Sequence, residues 1–214
     1  MNLTLKESLV TRSRVFSPWT AFYFLQSLLI NLGLGYPFSL LYTAAFTAIL
    51  LLLWRTLPGV QKVLVGVSSL VAACYFPFAQ AYGAPNFNTL LALHSTNMEE
   101  STEILTIFPW YSYLVGIFIF ALGVIAIRRK KESEKARWNT FDSLCLVFSV
   151  ATFFVAPVQN LAWGGVFKLK DTGYPVFRFA KDVIVNNNEV IEEQERMAKL
   201  SGMKDTWTVT AVKP

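Results

Sequence analysis

Five stretches of the chain are apolar for long enough to cross a bilayer core: Pro18 to Leu34, Pro37 to Trp54, Val63 to Tyr82, Ile107 to Ile127 and Phe141 to Trp163. A span needs about 20 mostly apolar residues, and within lipid each backbone group must find its partner inside its own segment. The strict alternation of a barrel strand is absent, so five helices are predicted. The first run follows a basic N-terminus, as in a secretory signal. It is too long for a signal h-region and no small-residue cleavage site closes it, so it reads as an uncleaved span.

After Trp163 the period changes. Val176, Phe177, Ala180, Val183, Ile184, Val190, Ile191, Met197 and Ala198 recur at helical spacing among charged residues, with Asn187 and Gln194 interrupting the stripe. Pro175 suits a first turn and Gly202 a stop. This predicts a surface helix of about 25 residues whose apolar face lies on the bilayer or on another domain. The last stretch, with Trp207, Val209 and Ala211 alternating with threonines, reads as a linker running into a strand-like segment.

Charge adds orientation. Lys6, Arg12 and Arg14 precede the first span, Arg55 and Lys62 separate the second from the third, and Arg128, Arg129, Lys130, Lys131, Lys135 and Arg137 fill the connection before the fifth. The turn at Gly35 and the stretch from Gly83 to Leu105 hold neither lysine nor arginine. That alternation predicts a cytoplasmic N-terminus and a C-terminal region on the opposite side, which in a bacterial inner membrane is the periplasm. The net charge of +5 thus belongs to topology, and no nucleic-acid motif accompanies it.

Polar residues inside the spans read as structural. Gln26, Asn31 and Gln80 are expected to bond between helices, and Pro77 to kink the third span. Trp19, Trp54, Tyr82, Trp110 and Trp163 fall near span ends as headgroup-level anchors. Cys74 and Cys145 read as buried reduced thiols, without metal-site or disulfide spacing. No intramembrane charge marks an ion or proton path.

The long polar interruption, Gly83 to Leu105, carries three carboxylates and the only histidine. Its densest part is Thr96-Asn97-Met98-Glu99-Glu100-Ser101. Thr96 and Glu99 fit a capping box, which leaves Glu100 unused. In a helix starting there, Glu100 lies one turn from Thr96 and Glu103 one turn further. A carboxylate beside a hydroxyl at the membrane surface suits a small cation such as a lipid ammonium; a solvated surface carboxylate is the plainer alternative. His94 has no second ligand nearby and reads as a headgroup-level or packing residue. No Ser-His-Asp set, P-loop, histidine pair or Gly-x-Ser-x-Gly is present, so the chain as a whole is not expected to catalyse anything alone.

The order of five spans, the Gly83-x-Pro85-x-Phe87 lead into Thr96-Asn97-x-x-Glu100-Ser101-x-Glu103-Ile104-Leu105, the Arg128-Arg129-Lys130-Lys131 span end, the interfacial helix and the linker together resemble the membrane domain of the phosphoethanolamine transferases. The resemblance covers essentially the whole chain. It implies a bacterial (Gram-negative) inner-membrane, multi-pass protein in which a periplasmic, zinc-binding, sulfatase-like domain takes phosphoethanolamine from phosphatidylethanolamine on a threonine. The group is then passed to lipid A or core oligosaccharide. Zinc is expected in that domain and no cofactor in these residues; the catalytic domain lies beyond the linker and outside this sequence. Thr96 and Glu100 match the family's donor-facing threonine and glutamate, with Asn97 beside them. Some members have an asparagine four residues before that threonine, where this chain has Ala92.

The expected fold is therefore an all-α membrane protein: a five-helix bundle, N-in and C-out, over residues 1–164, a periplasmic amphipathic helix over 165–201 and a linker over 202–214. Its expected role is to hold phosphatidylethanolamine through Thr96, Asn97 and Glu100. The alternatives are a stand-alone inner-membrane transport or assembly protein, and the anchor of a related phosphoglycerol-type synthase.

Overall fold

Every apolar stretch forms a helix in the computed structural model, which describes residues 18–96, 103, 106–129, 138, 140–163 and 173–202. The described helices are α1 (Pro18–Gly33), α2 (Leu40–Thr56), α3 (Pro58–Tyr82), α4 (Phe87–Ser95), α5 (Trp110–Arg128), α6 (Thr140–Ala162) and α7 (Pro175–Gly202). By length and composition α3, α5 and α6 can each cross a membrane; α1 and α2 are apolar but shorter, at 16 and 17 residues. The third helix starts at Pro58 rather than Val63, because proline lacks only a donor that the first turn leaves unpaired anyway. It runs through Pro77, as α6 runs through Pro157.

The exterior is apolar in the manner of a lipid-facing surface. Leu114, Ile117 and Phe118 on α5 and Leu144, Val147 and Val150 on α6 are exposed, an arrangement that water would penalise and hydrocarbon does not. The interior is held by close approach of small residues and by a few polar pairs. A methyl group on Gly116 would lie 2.6 Å from the Ala73 carbonyl oxygen, and one on Gly123 would lie 2.6 Å from Ser69 Cβ, so α3 and α5 meet almost backbone to backbone. Around that seam Tyr23, Ile30, Phe46, Leu50, Val65 and Ile119 are fully buried.

The interhelical role expected of the polar residues is observed. Gln26 Nε2 donates to Ser69 Oγ at 3.1 Å, Asn31 Nδ2 to Thr43 Oγ1 at 3.1 Å, and Ser112 Oγ to Gln80 Oε1 at 3.1 Å. Each bond ties two helices where unpaired amides would be costly.

Several expectations need correction. Asp142, in the first turn of α6, is a buried charge inside a predicted span, and Arg55 at the end of α2 forms an ion pair with it. Two charges neutralising one another act as a strut between helices, since breaking such a pair strands a charge in low dielectric. Trp54 is buried rather than anchored in headgroups: the Arg129 guanidinium lies between its ring at 4.4 Å and the Trp19 ring at 4.2 Å. Cys145 is buried but Cys74 is exposed, and both are free thiols. The basic residues before Pro18, most of the 130–139 connection and the strand-like linker beyond 202 lie outside the described residues.

Candidate functional site

The polar interruption is not simply a loop. Asn86 adopts an extended backbone and its Oδ1 accepts from the Thr89 N–H at 3.0 Å, which caps α4. Leu90, Leu91 and Leu93 then supply enough apolar surface for nine helical residues. The sequence holds a signal for this helix, an asparagine ahead of a leucine-rich run; the helix expected to start at Thr96 falls largely on residues outside the described ones. Thr96 ends α4: its backbone N–H bonds to the Ala92 carbonyl at 3.0 Å, and its hydroxyl donates to the same oxygen. The partner that a capping box requires, Glu99, lies outside the described residues, as do Asn97 and Glu100.

Position 92 and Thr96 share one cavity. About 240 Å³ in volume, it is lined by Phe78, Tyr82, Asn86, Asn88, Ala92 and Thr96 among others. Asn88, Ala92 and Thr96 are spaced four apart and so form one face of α4. The departure at Ala92 therefore falls on the cavity wall, and Asn88 brings a side-chain amide to that wall one turn earlier. The opposite wall is aromatic. Phe78 and Phe108 meet edge to face with centroids 4.9 Å apart, and Tyr82 lies 6.5 Å from Phe108. A small polar patch against an aromatic wall can hold a compact amphiphilic group.

The amphipathic helix closes this end of the bundle. Tyr174 is buried just before α7, donates to the Ser149 carbonyl at 2.9 Å and packs against Tyr42 and Phe153. Phe179 then meets Tyr75 edge to face at 5.0 Å, and Tyr36 Oη donates to Asp182 Oδ2 at 2.7 Å. Further along, Asn186 donates to the Pro85 carbonyl at 3.4 Å, and His94 Nε2 lies 2.8 Å from Asn187 Oδ1. From Tyr174 to Asn187 the helix thus covers roughly 20 Å of the bundle end. Val176 of the apolar stripe packs on the bundle core, as does Phe179 from outside the stripe, and Val190 is buried; Phe177, Ile184 and Ile191 face outward. Asn187 interrupts the stripe because it meets His94, which accounts for both residues as docking groups.

Burial raises the Tyr36 phenol well above its usual range, and the Asp182 carboxylate adds to the shift; burial pushes Tyr174 up to about 12. Both phenols therefore remain donors at any physiological pH. Among the described residues no three His, Cys, Asp or Glu side chains come together as a metal site.

A bundle of apolar helices with lipid-facing sides and one end covered by an amphipathic helix defines a helical membrane domain. Over all of its 214 residues the chain is 99% identical to phosphoethanolamine transferase OpgE of Escherichia coli, and it spans 41% of that protein's length. The resemblance to the phosphoethanolamine transferases thus holds along the entire chain. No family model matches the chain, and no solved structure matches it.

Proposed function

We propose that this chain is the membrane domain of a phosphoethanolamine transferase and that it holds the phosphatidylethanolamine donor at the cavity beside Thr96. The observation that carries this reading is the cavity itself, with Thr96, Ala92, Asn88 and Asn86 on its walls at the end of the bundle that α7 covers. A helical membrane domain matching a phosphoethanolamine transferase throughout its length supports the assignment of the donor class. In this reading α1, α2, α3, α5 and α6 are five spans of a Gram-negative inner membrane, with the N-terminus cytoplasmic and α7 periplasmic.

Asn88 offers an amide to the headgroup phosphate, Thr96 adds its hydroxyl once that turns from the Ala92 carbonyl, the aromatic wall contacts the ethanolamine carbons, and Glu100 and Asn97 are the residues proposed for the ammonium. Aromatic faces and carboxylates both favour a cation in a partly desolvated site. The chemistry belongs to a periplasmic zinc domain outside these 214 residues, which transfers phosphoethanolamine to lipid A or core oligosaccharide. Zinc bound in that domain would supply charge to offset the phosphate and favour the threonine alkoxide.

The test is transfer by the whole protein in membranes, followed by mass spectrometry of the phosphoethanolamine-modified products. Glu100→Ala and Thr96→Ala are expected to lower transfer roughly tenfold or more with unchanged membrane insertion, the cost of one charge-assisted bond. Transfer at the parental rate in both variants would return the two residues to capping and surface roles.

A further inference from the structure

The walls of the Thr96 cavity belong to consecutive helices. Phe78 and Tyr82 come from the last turns of α3, and Asn86, Asn88, Ala92 and Thr96 come from α4 and its two caps. The shape of the cavity therefore follows the angle between α3 and α4, which the connection from Gly83 to Asn86 sets. Gly83 lies at φ +72°, a region that glycine enters without steric cost. The same freedom leaves such a joint without an angle of its own, so the contacts around it must supply one.

Those contacts come from behind the cavity. Tyr75 Oη donates to the Gly83 carbonyl at 2.9 Å. Gly35, itself at φ +80°, lies so close to that carbonyl that a methyl group on it would overlap the oxygen. From α7, Asn186 Nδ2 donates to the Pro85 carbonyl at 3.4 Å.

Tyr75 does not line the cavity, yet it touches each part that shapes it. Its hydroxyl holds the joint. Its ring stacks on Phe78, a wall residue, with centroids 6.2 Å apart and planes 19° from parallel. The same ring receives Phe179 of α7 edge to face at 5.0 Å. Both are favourable aromatic arrangements, and together they connect the docked helix to the cavity wall.

We propose that Tyr75 is a positioning residue for the Thr96 cavity: its hydroxyl fixes the Gly83 joint that sets α4 against α3, and its ring carries the docking of Phe179 to Phe78. The inference rests on the reading of that cavity as the donor site. It assigns to α7 a part in donor binding through Phe179, at a distance from the headgroup.

The experiment measures diacylglycerol released by the full-length protein in mixed micelles of increasing phosphatidylethanolamine content. Tyr75→Phe keeps the ring and removes the hydroxyl; it is expected to raise the donor KM about fivefold at unchanged kcat, the effect of one neutral hydrogen bond. Phe179→Leu removes the edge-to-face contact and is expected to raise the same KM about threefold. Ala92→Phe, which fills the cavity from α4, tests the underlying reading and is expected to raise KM more than either. A raised KM in Ala92→Phe with parental values in Tyr75→Phe and Phe179→Leu overturns the positioning role and leaves the donor reading standing. A parental KM in Ala92→Phe overturns the donor reading and this inference with it. A fall in kcat or in thermal midpoint for Tyr75→Phe without a change in KM reduces Tyr75 to a purely structural residue and also overturns the proposal.

Discussion

The two ends of the bundle treat polar groups in opposite ways. At the end where α2 finishes and α6 begins, Arg55 is matched to Asp142, and Arg129 is enclosed by two tryptophan rings. At the other end Asn88, Ser39 and Asn160 line open cavities. Polar groups used against one another fasten helices; polar groups facing a void are available to something else. Chemistry of similar kind thus serves cohesion at one end and recognition at the other, and the difference lies in whether a protein partner is already in contact.

The comparison breaks most severely at the fastened end. Asp142→Ala leaves Arg55 half-buried beside an empty position, with an expected loss of about 3–5 kcal/mol. Thermal unfolding in detergent measures it, and the double variant Arg55→Met, Asp142→Leu should recover most of the loss because no buried charge remains. Next comes the seam that both ends share. Gly116→Leu must push α5 away from the Ala73 carbonyl, for an expected cost of about 1–3 kcal/mol, visible as a lower midpoint in the same assay.

Smaller effects are expected at the recognition end. Tyr174 has a folded-state phenol value raised by burial to about 12, above the unfolded value near 10. The contribution of that phenol is complete below pH ~10 and declines as pH rises from ~10 through ~12, because the unfolded chain releases its proton first. Tyr174→Phe should remove its part of that alkaline decline, as a shallower slope of stability against pH shows. Smallest is His94→Ala, which deletes an exposed bond to Asn187 worth roughly 0.5–1.5 kcal/mol. Faster amide hydrogen exchange confined to the middle of α7, with the bundle unchanged, is its expected signature.

Much of this architecture could be read from the sequence, and the exceptions have a common cause. Helix positions follow from apolar length, and α7 from its period, with Pro175 in its first turn as expected. That Gln26, Asn31 and Gln80 would bond between helices also followed from their chemistry; their partners did not, since Ser69 lies 43 residues from Gln26. Asp142 and Arg55 are 87 residues apart, and neither one shows its partner locally. The inward position of Trp54 depends on Arg129 for the same reason. At the candidate site, Thr96 was identifiable as a residue of interest, but its place at the end of α4 depended on a helix whose polar composition concealed it. The four-residue spacing that unites Asn88, Ala92 and Thr96 has meaning only once that helix is known.

The docked helix also has a mechanical consequence. Its contacts with the bundle fall between Tyr174 and Val190, while the side chains from Gln194 to Leu200 are all exposed. A rod anchored along one half and exposed along the other carries any load on the exposed arm into its anchored half. Such a load falls on the contacts of Asp182 with Tyr36 and of Asn186 with the Pro85 carbonyl. Pro85 adjoins Asn86, so the anchored half of the helix braces the segment that begins the wall of the Thr96 cavity.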